Sequence, residues 1–228
     1  MIKFRPIERD DLDLLRDWRN DPDIRLFCRE YRLLNLERQE AWFDSLTADT
    51  TCEMYGIIND ERHYLGVAIC PLCNYQWLAV IQVGGNITQM ECPECGENHG
   101  KMEVETAQEV DGQLIGVCGW TFIDWRSRHA MLSYYIGDKE YRKGETELEV
   151  LKELHRIAFT ELNLYVCRAE IYDFDPRMPV IRKSGYVETG KRAEQYFHDG
   201  SYRDIIILSL NVKDWRNGSS DIHLRNHH

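Results

Sequence analysis

The sequence predicts an α/β fold in which helices flank a mixed, mostly antiparallel sheet that is interrupted by one small module. Three observations support this prediction. Along the 228 residues, short apolar strand patterns alternate with a few amphipathic helical patterns. Met131–Ile136 is a strand pattern that leads through a short charged loop into a long helical pattern. Two Cys-Pro-x-Cys motifs interrupt this order in the middle of the chain and are typical of a separate module.

The first sixty residues predict a strand, three helical segments and a second strand. Aspartates and Asn35 provide the helix starts, because short polar side chains accept hydrogen bonds from the N–H groups of a first helical turn. The predicted elements are, in order, Ile2–Pro6, a helix with Leu12, Leu15 and Trp18 on one face, Asp23–Phe27, a helix after Asn35 with a buried stripe of Trp42, Phe43 and Leu46, and Met54–Ile58.

Residues 61–110 predict a zinc ribbon inserted in a loop. Cys70 and Cys73 form one pair, Cys92 and Cys95 form the other, and 18 residues separate the pairs. This spacing is typical of a tetrahedral zinc site with four thiolate ligands, in which iron can replace the zinc. Free thiols or a redox pair remain the alternative. The predicted strands of the ribbon are Gln76–Val83, Asn86–Glu91 and Lys101–Thr106.

A structural role is expected for this metal, because four thiolates leave no open coordination position for a substrate. The ribbon would act as a clip or as a docking lobe for a protein partner. So short a segment has too small a core to fold unaided, and metal binding would supply the missing folding energy.

The remaining half of the chain predicts the second part of the sheet. Asp199-Gly200 is a two-residue hairpin signal, and the polar residues 217–228 predict a disordered tail. The predicted elements are Gln113–Asp124, Met131–Ile136, a long helix, Tyr165–Tyr172, a short helix from Asp175 to Ser184, Val187–Thr189, Gln195–His198 and Tyr202–Leu210.

The long helix is the element around which function is expected. Thr146 and Glu149 have the spacing of a capping box, which predicts that the helix starts near Thr146. A strand that enters a helix N-terminus through a loop containing Gly144 can bind a phosphate group, because backbone N–H groups point outward there and the helix dipole favours an anion.

The charge balance excludes some partners. The chain carries 28 basic and 39 acidic residues, a net charge of −11, which argues against general binding of nucleic acid or of anionic membranes. No apolar run approaches the roughly 18 residues that a membrane span requires. The first residues, MIKFRPIERDD, lack an apolar signal core, so we expect a cytoplasmic protein.

Outside the ribbon, the chain resembles the GNAT superfamily of N-acetyltransferases, especially the branch that acts on protein N-termini and small amines. The similar segments are RPIERDDLDLLRDWRNDPDIR, QLIGVCGWTFIDWRSRHAMLSYYIG, AFTELNL, KSGYVETGKR and DGSYRDIIILSL, in the order of the family. The resemblance implies that an amine of a small molecule, sugar or peptide attacks the thioester of acetyl-CoA. It also implies donor contacts from Ser133, Tyr135, Ile136, Gly137, Arg142, Lys143, Gly144 and Asp175.

The chain departs from the family at several of these positions. Both motif glycines of the pyrophosphate loop match acids, Glu145 and Glu147, where a carboxylate adds bulk and a like charge. The usual Glu, Asn and Tyr of the family match Met131, Asp175 and Ile181. Other groups would then accept the amine proton, directly or through water, and the candidate bases are Asp124, His129, Glu170 and Asp173.

Three hypotheses follow from the match and its departures. The first is a GNAT-like N-acetyltransferase formed by residues 1–60 and 111–216. The second is a GNAT fold that has lost catalysis and serves as a binding or assembly module, with the ribbon as its partner surface. The third is a transferase whose acyl donor lacks the CoA pyrophosphate.

Overall fold

The computed structural model describes residues 1–60, 63–70, 72–82, 90–96, 98–99, 103–110 and 112–225. The strands in these residues are β1 (Ile2–Arg5), β2 (Glu53–Asn59), β3 (His63–Ile69), β4 (Gln76–Gln82), β5 (Met90–Glu91), β6 (Asn98–His99), β7 (Glu103–Val110), β8 (Gln113–Asp124), β9 (His129–Ile136), β10 (Val166–Tyr172), β11 (Val187–His198) and β12 (Ser201–Asn211). The helices are α1 (Leu12–Asn20), α2 (Pro22–Arg25), α3 (Leu36–Ala48), α4 (Gly144–Arg156), α5 (Met178–Lys183) and α6 (Val212–Arg225).

The chain divides into two compact units. The larger one contains Ile2–Ile57 and the residues from Ile115 onward, and the smaller one contains Ile58–Leu114 together with Met1. Among the described residues, no helix is both long enough and apolar enough to cross a lipid bilayer.

The larger unit is built on a seven-stranded sheet in the order β1-β2-β8-β9-β10-β12-β11. β8 and β9 pair antiparallel, as do β10 with β12 and β11 with β12. β9 and β10 are parallel neighbours, and α4 lies in the connection between them, as expected for a parallel crossover. The predicted fold class, a mostly antiparallel sheet flanked by helices, is confirmed.

The parallel neighbours β9 and β10 diverge along their length. They are paired only from His129 opposite Val166 to Met131 opposite Arg168. Beyond Met131, β9 stays paired with β8, and β10 stays paired with β12. A wedge-shaped gap therefore opens between the two strands toward the end of β9.

The core of the larger unit lies between the sheet and α4. The apolar residues of α4 recur every three or four positions, and Val150, Leu151 and Leu154 have no exposed surface. Full burial of a leucine side chain stabilises a fold by roughly 1.5–3 kcal/mol, so these contacts fix the position of the helix on the sheet. A π-helical turn, Ile157–Glu161, extends α4 and adds the buried Phe159 to the same core.

His155 is a buried imidazole within this core. Only 1% of its surface is exposed, and its ring lies 6.4 Å from that of Trp120 and 5.3 Å from that of Tyr186. Burial lowers its pKa to about 3, because a charged imidazolium would lose its hydration. The side chain is therefore a neutral packing residue at neutral pH.

The smaller unit contains a three-stranded sheet in the order β4-β3-β7 and the two-stranded pair β5-β6. The predicted strands Gln76–Val83 and Lys101–Thr106 correspond to β4 and β7. Most of the predicted strand Asn86–Glu91 lies outside the described residues. The central strand β3 is not predicted, since it lies ahead of the first cysteine pair in a stretch without strong turn signals.

Three helices differ from their predictions. α4 begins at Gly144 after Lys143, with no side-chain cap, so the capping box at Thr146 is wrong. The predicted buried stripe of α3 is only half-buried, and one of its residues, Trp42, lines a cavity.

The third helix, α6, continues to Arg225, where a disordered tail is predicted. The Asn211 side chain caps α6 by accepting hydrogen bonds from N–H groups of its first turn. The Trp215 ring of α6 lies 5.2 Å from the Phe159 ring, so the helix also contacts the core.

Candidate active site and cysteine cluster

A cavity of about 750 Å³ lies in the larger unit along the gap between β9 and β10. Its walls come from α1, the connection between α2 and α3, α3, the middle of the sheet and α5. The residues that line it are Arg19, Phe27, Cys28, Arg29, Glu30, Arg32, Leu34, Arg38, Gln39, Ala41, Trp42, Cys52, Met54, Val117, Thr121, Phe122, Met131–Tyr135, Ala169–Ile171, Arg177 and Ile181.

Two of the predicted bases, Asp124 and His129, do not line this cavity. They face each other across the turn between β8 and β9, with His129 Nε2 3.7 Å from Asp124 Oδ2. The backbone N–H of Ser127 donates to Asp124 and lowers the pKa of its carboxyl group. This turn is at the end of β9 that pairs with β10, where the gap between the strands is closed.

Glu170 does line the cavity, but it is already engaged by arginines. Its Oε2 accepts hydrogen bonds from Arg29 at 2.9 Å and from Arg192 at 3.0 Å. The fourth predicted base, Asp173, lies outside the wall and is exposed, and its backbone N–H donates to the carbonyl of Asp204. Of the four candidates, only Glu170 is therefore positioned beside the cavity.

The wall contains one further carboxylate that the sequence does not single out. Glu30 accepts hydrogen bonds from the Arg32 guanidinium at 2.8 and 2.7 Å, and these lower its pKa to about 2. Burial raises the pKa of the Cys52 thiol to about 11. None of the described residues that line the cavity is a histidine, so the wall offers little general-base capacity near neutral pH.

The open edge of β9 is partly occupied by two arginines. Arg177 donates to the carbonyl of Tyr134 at 3.0 Å, and Arg142 donates to the carbonyls of Ile136 at 3.0 Å and Gly137 at 2.8 Å. Arg142 also forms an ion pair with Asp21 at 3.0 Å. Its side chain thus bridges the end of β9 and the residue between α1 and α2, and these bonds hold the loop in place.

A buried polar network joins β9, α4 and the start of α5. Asp175 has a fully buried side chain and accepts hydrogen bonds from the Arg177 side chain at 3.0 and 2.6 Å. The Arg177 guanidinium lies 5.3 Å from the centre of the Tyr134 ring. The Tyr134 hydroxyl, whose pKa is raised by burial, donates to Glu147 at 2.9 Å. Nothing in the sequence marks Arg177 as a site residue. Its role depends on the packing of the start of α5 against β9.

Glu147 therefore turns inward, whereas Glu145 and Glu149 are exposed. Burial raises the pKa of Glu147, and the hydrogen bond from Tyr134 partly offsets this. Lys143 and Gly144 are exposed at the start of α4, and no atom lies within 4 Å of the position that a Cβ would take at Gly144. The first turn of α4 thus keeps open space at Gly144 even though Glu147 lies beneath it.

Gly137 closes β9 under the indole ring of Trp18. A Cβ at Gly137 would lie 1.9 Å from Trp18 Cδ2, a distance that no side chain can accept. Among the other predicted donor contacts, Ser133 and Tyr135 line the cavity, and Ile136 is buried. The structure thus brings Ser133 and Tyr135 to the cavity, whereas Ile136 and Gly137 are not part of its wall, and Asp175 is bonded to Arg177.

The four predicted metal ligands come together in the smaller unit. The Sγ atoms of Cys70, Cys73, Cys92 and Cys95 all lie within 4.8 Å of one another. Two of these separations are 3.7 Å, from Cys70 to Cys95, and 3.6 Å, from Cys73 to Cys92. A tetrahedral site with Zn–S bonds of about 2.3 Å has sulfur atoms about 3.8 Å apart. The four thiols can therefore hold one metal ion.

The two cysteine pairs have the same backbone turn. The N–H of Asn74 donates to the carbonyl of Cys70 at 2.9 Å, and the N–H of Gly96 donates to that of Cys92 at 2.9 Å. Asn74 and Gly96 both have positive φ angles, 56° and 70°, which suit these two residue types. Backbone N–H groups, chiefly that of Cys73, lower the pKa of the Cys70 thiol to about 6, which favours the thiolate that binds metals.

The diverging strands, the helix between them and the cavity along their gap define an acyltransferase of the GNAT fold. The family model described as Acetyltransferase (GNAT) domain matches residues 2–187, and the chain therefore belongs to this family.

Individual relatives are distant. "Putative ribosomal N-acetyltransferase YdaF" of Bacillus subtilis (strain 168) is 26% identical over 115 residues, which are 49% of this chain and 61% of that protein. Spermidine N-acetyltransferase from Vibrio cholerae, in complex with CoA and spermine, has a TM-score of 0.68 at 16% identity, over 95% of this chain and 98% of that chain. Its dodecameric structure gives 0.63 at 15% identity, over 96% and 98%. At such identities the structures establish the fold alone.

Proposed function

We propose that this protein is an N-acetyltransferase that moves an acetyl group from acetyl-CoA to a primary amine of a small molecule, sugar or peptide. The observation that carries the proposal is the gap between β9 and β10, where a strand edge lies along a cavity of about 750 Å³. An extended donor arm can pair with such an edge through main-chain hydrogen bonds, as an added strand does.

The donor would lie along β9 and reach the start of α4. Ser133, Tyr135, Ile136 and Gly137 would contact the arm, and Lys143 and Gly144 would receive the pyrophosphate at the helix N-terminus. Arg142 and Asp175 would act through the loop and through Arg177, since both are bonded to protein groups. When bound, acetyl-CoA supplies an activated thioester for the amine to attack.

The cavity wall contains few groups that could remove the proton from the attacking amine. The amine must lose a proton to attack, and among the candidate bases we retain Glu170, which is the one beside the cavity. Because Glu170 is bonded to two arginines, we propose that a water molecule relays the amine proton to the Glu170 carboxylate, while the new C–N bond replaces the C–S bond of the thioester and CoA leaves as a thiolate. Asp124, His129 and Asp173 are not assigned to this step.

Isothermal titration with acetyl-CoA and CoA tests the proposal. We expect saturable binding of both, and release of CoA when a small primary amine, or a peptide with a free N-terminus, is added. If neither ligand binds at millimolar concentration, the acetyltransferase proposal is wrong. The fold would then serve as a binding module, an alternative favoured by the inward carboxylate of Glu147 and by the internal bonds of Arg142.

We also propose that Cys70, Cys73, Cys92 and Cys95 bind one structural Zn²⁺ within an insertion formed by residues 61–110. The sulfur separations support the metal, and the neighbouring positions of β2 and β8 in the sheet support the insertion, since the segment connects these strands. Metal analysis of the purified chain is expected to give about one zinc per chain, and a metal-free chain would contradict the proposal.

A further inference from the structure

Arginines dominate the charged part of the cavity wall. Five arginines but only two glutamates line it, and both glutamates already accept hydrogen bonds from arginines. Glu170 accepts from Arg29 and Arg192, whereas Glu30 accepts from Arg32 and is also stabilised by the charge of Arg38. The wall therefore carries excess positive charge after its internal ion pairs are formed.

Arg19 forms no ion pair with a carboxylate among the described residues, whereas Arg38 acts on Glu30 through its charge alone. Its Nη1 donates to the thiol sulfur of Cys28 at 2.6 Å, and its guanidinium lies 5.9 Å from the centre of the Tyr135 ring. A thiol sulfur is a weak acceptor, and a guanidinium has five N–H donors in a planar fork that matches carboxylate and phosphate oxygens. Arg19 thus keeps most of its hydrogen-bonding capacity for a ligand in the cavity.

Arg19 lies on a different face of the sheet from the proposed acetyl-CoA pyrophosphate site. Tyr134 and Tyr135 are consecutive in β9, so their side chains point to opposite faces of the sheet. Tyr134 faces α4 through its hydrogen bond to Glu147, whereas Tyr135 faces Arg19 and α1. Arg19 therefore lies on the face opposite the α4 N-terminus, where the donor pyrophosphate is proposed to bind.

We propose that the acceptor is a primary amine that also carries an oxyanion, a carboxylate or a phosphate, and that Arg19 binds this group. This inference rests on the proposed acetyltransferase function. The bidentate ion pair would orient the amine toward the gap between β9 and β10. A polycationic amine would instead meet uncompensated guanidinium charge, which disfavours its binding.

A panel of amines at equal concentration tests the preference. The probes are 4-aminobutyrate, O-phosphoethanolamine, n-butylamine and spermidine, with CoA release as the readout. We expect kcat/KM for the better of the two anionic amines to exceed that for n-butylamine by about tenfold or more, the effect of one charged hydrogen-bonded pair. Which anionic amine is better distinguishes a carboxylate from a phosphate. Equal or higher kcat/KM with spermidine overturns the proposal.

Variants of α1 assign the effect to one side chain. Arg19→Gln is expected to raise KM for the anionic amine by about tenfold, with little change in its kcat, in kcat/KM for n-butylamine or in acetyl-CoA affinity. Arg19→Lys is expected to recover part of the loss. Arg16→Gln removes the same charge from the same helix outside the cavity and should leave all parameters unchanged. A uniform loss with all four amines contradicts the assignment.

Direct titration separates this inference from the proposed function. If acetyl-CoA does not bind, the acetyltransferase proposal fails, but the anion site can still be measured by calorimetry with 4-aminobutyrate and O-phosphoethanolamine. Binding to the wild-type chain that Arg19→Gln weakens by about tenfold supports the site. No binding of either compound to the wild type, or equal binding to both chains, overturns it.

Discussion

The cysteine cluster and the loop that precedes α4 are two candidate ligand sites built in opposite ways. In the cluster, four atoms of one kind converge within 4.8 Å, held by two turns of the same geometry. In the loop, the charged groups already have protein partners, since Arg142 is bonded to β9 and α1, and Glu147 to Tyr134.

Because of this difference, the arrangement of the cluster is stronger evidence for a bound ligand than the arrangement of the loop. Converging thiols gain little from one another, because thiols form weak hydrogen bonds and thiolates repel, so a metal is the natural explanation of their arrangement. In the loop, the charged groups form hydrogen bonds and ion pairs with protein groups, so no ligand is needed to account for their positions. Donor binding there must also compete with the Glu147 carboxylate, which favours the same positive helix end.

The largest effect is expected from removing one thiolate of the cluster. Cys92→Ser should reduce the metal content from about one to nearly zero and should unfold or loosen the smaller unit, because zinc–thiolate binding contributes about 10 kcal/mol or more to folding in small modules. Metal analysis together with amide hydrogen exchange of residues 63–110 measures both effects.

Cys52→Ser is the matched control, since Cys52 is a half-buried thiol outside the cluster and its loss should leave the metal content unchanged. A Cys70→Ser, Cys92→Ser double variant that still retains a full complement of zinc would contradict the cluster as a metal site.

An acid titration distinguishes the pH dependence of the α4 core, which contains His155, from that of the cysteine cluster. The folded-state pKa of His155 is about 3 against 6.5 in the unfolded chain, so only the unfolded state takes up a proton between these values. The stability of the larger unit should fall as pH decreases from about 6.5 to 3, by about 2.5–3 kcal/mol at pH 4.5.

Urea denaturation followed at pH 7 and at pH 4.5 measures this change. His155→Phe keeps an aromatic ring of similar size in the site and should remove most of the pH dependence, while metal loss from the cysteine cluster at low pH is unaffected. An equal loss of stability in the variant would show that His155 is not the responsible group.

The smallest effect is expected in the loop itself. Glu147→Gln removes the charge near the α4 N-terminus and retains an oxygen that accepts the hydrogen bond from Tyr134. We expect acetyl-CoA to bind about two- to fivefold more tightly at pH 8, the size of one helix-dipole interaction. Calorimetry measures the change, with the exposed Glu149→Gln as control. Weaker binding would mean that the carboxylate assists the donor.

Much of the sheet can be predicted from local sequence signals, whereas the candidate site can be predicted only in part. The predicted bounds of β8 match the structure, and the Asp199-Gly200 hairpin joins β11 and β12, because strand alternation and hairpin turns are encoded over a few residues. The start of α4 is two residues earlier than predicted. Its position depends on the preceding loop, where Arg142 is anchored to carbonyl groups of β9 and no side chain caps the helix.

The candidate bases show why proximity in sequence is a poor guide to a site. Asp124 ends β8 and His129 begins β9, whose later residues line the cavity, but the register of His129 with Val166 puts both side chains at the end where the gap is closed. Arg177 contributes to the site through a contact with β9, 43 residues away in sequence, that only the folded chain creates. The cysteines are different, because their ligand set is contained in two short motifs.

The contact of Trp18 with Gly137 joins the two sides of the cavity mechanically. Trp18 precedes Arg19 in α1, and Gly137 follows β9 at the start of the loop before α4, so a donor that displaced this loop would also displace α1 beside the residue proposed to bind the acceptor. The two ligands are then thermodynamically coupled, and each must change the affinity of the other by the same factor. A tightly packed glycine would thus make the effect of each substrate on the affinity of the other a measurable property of the fold.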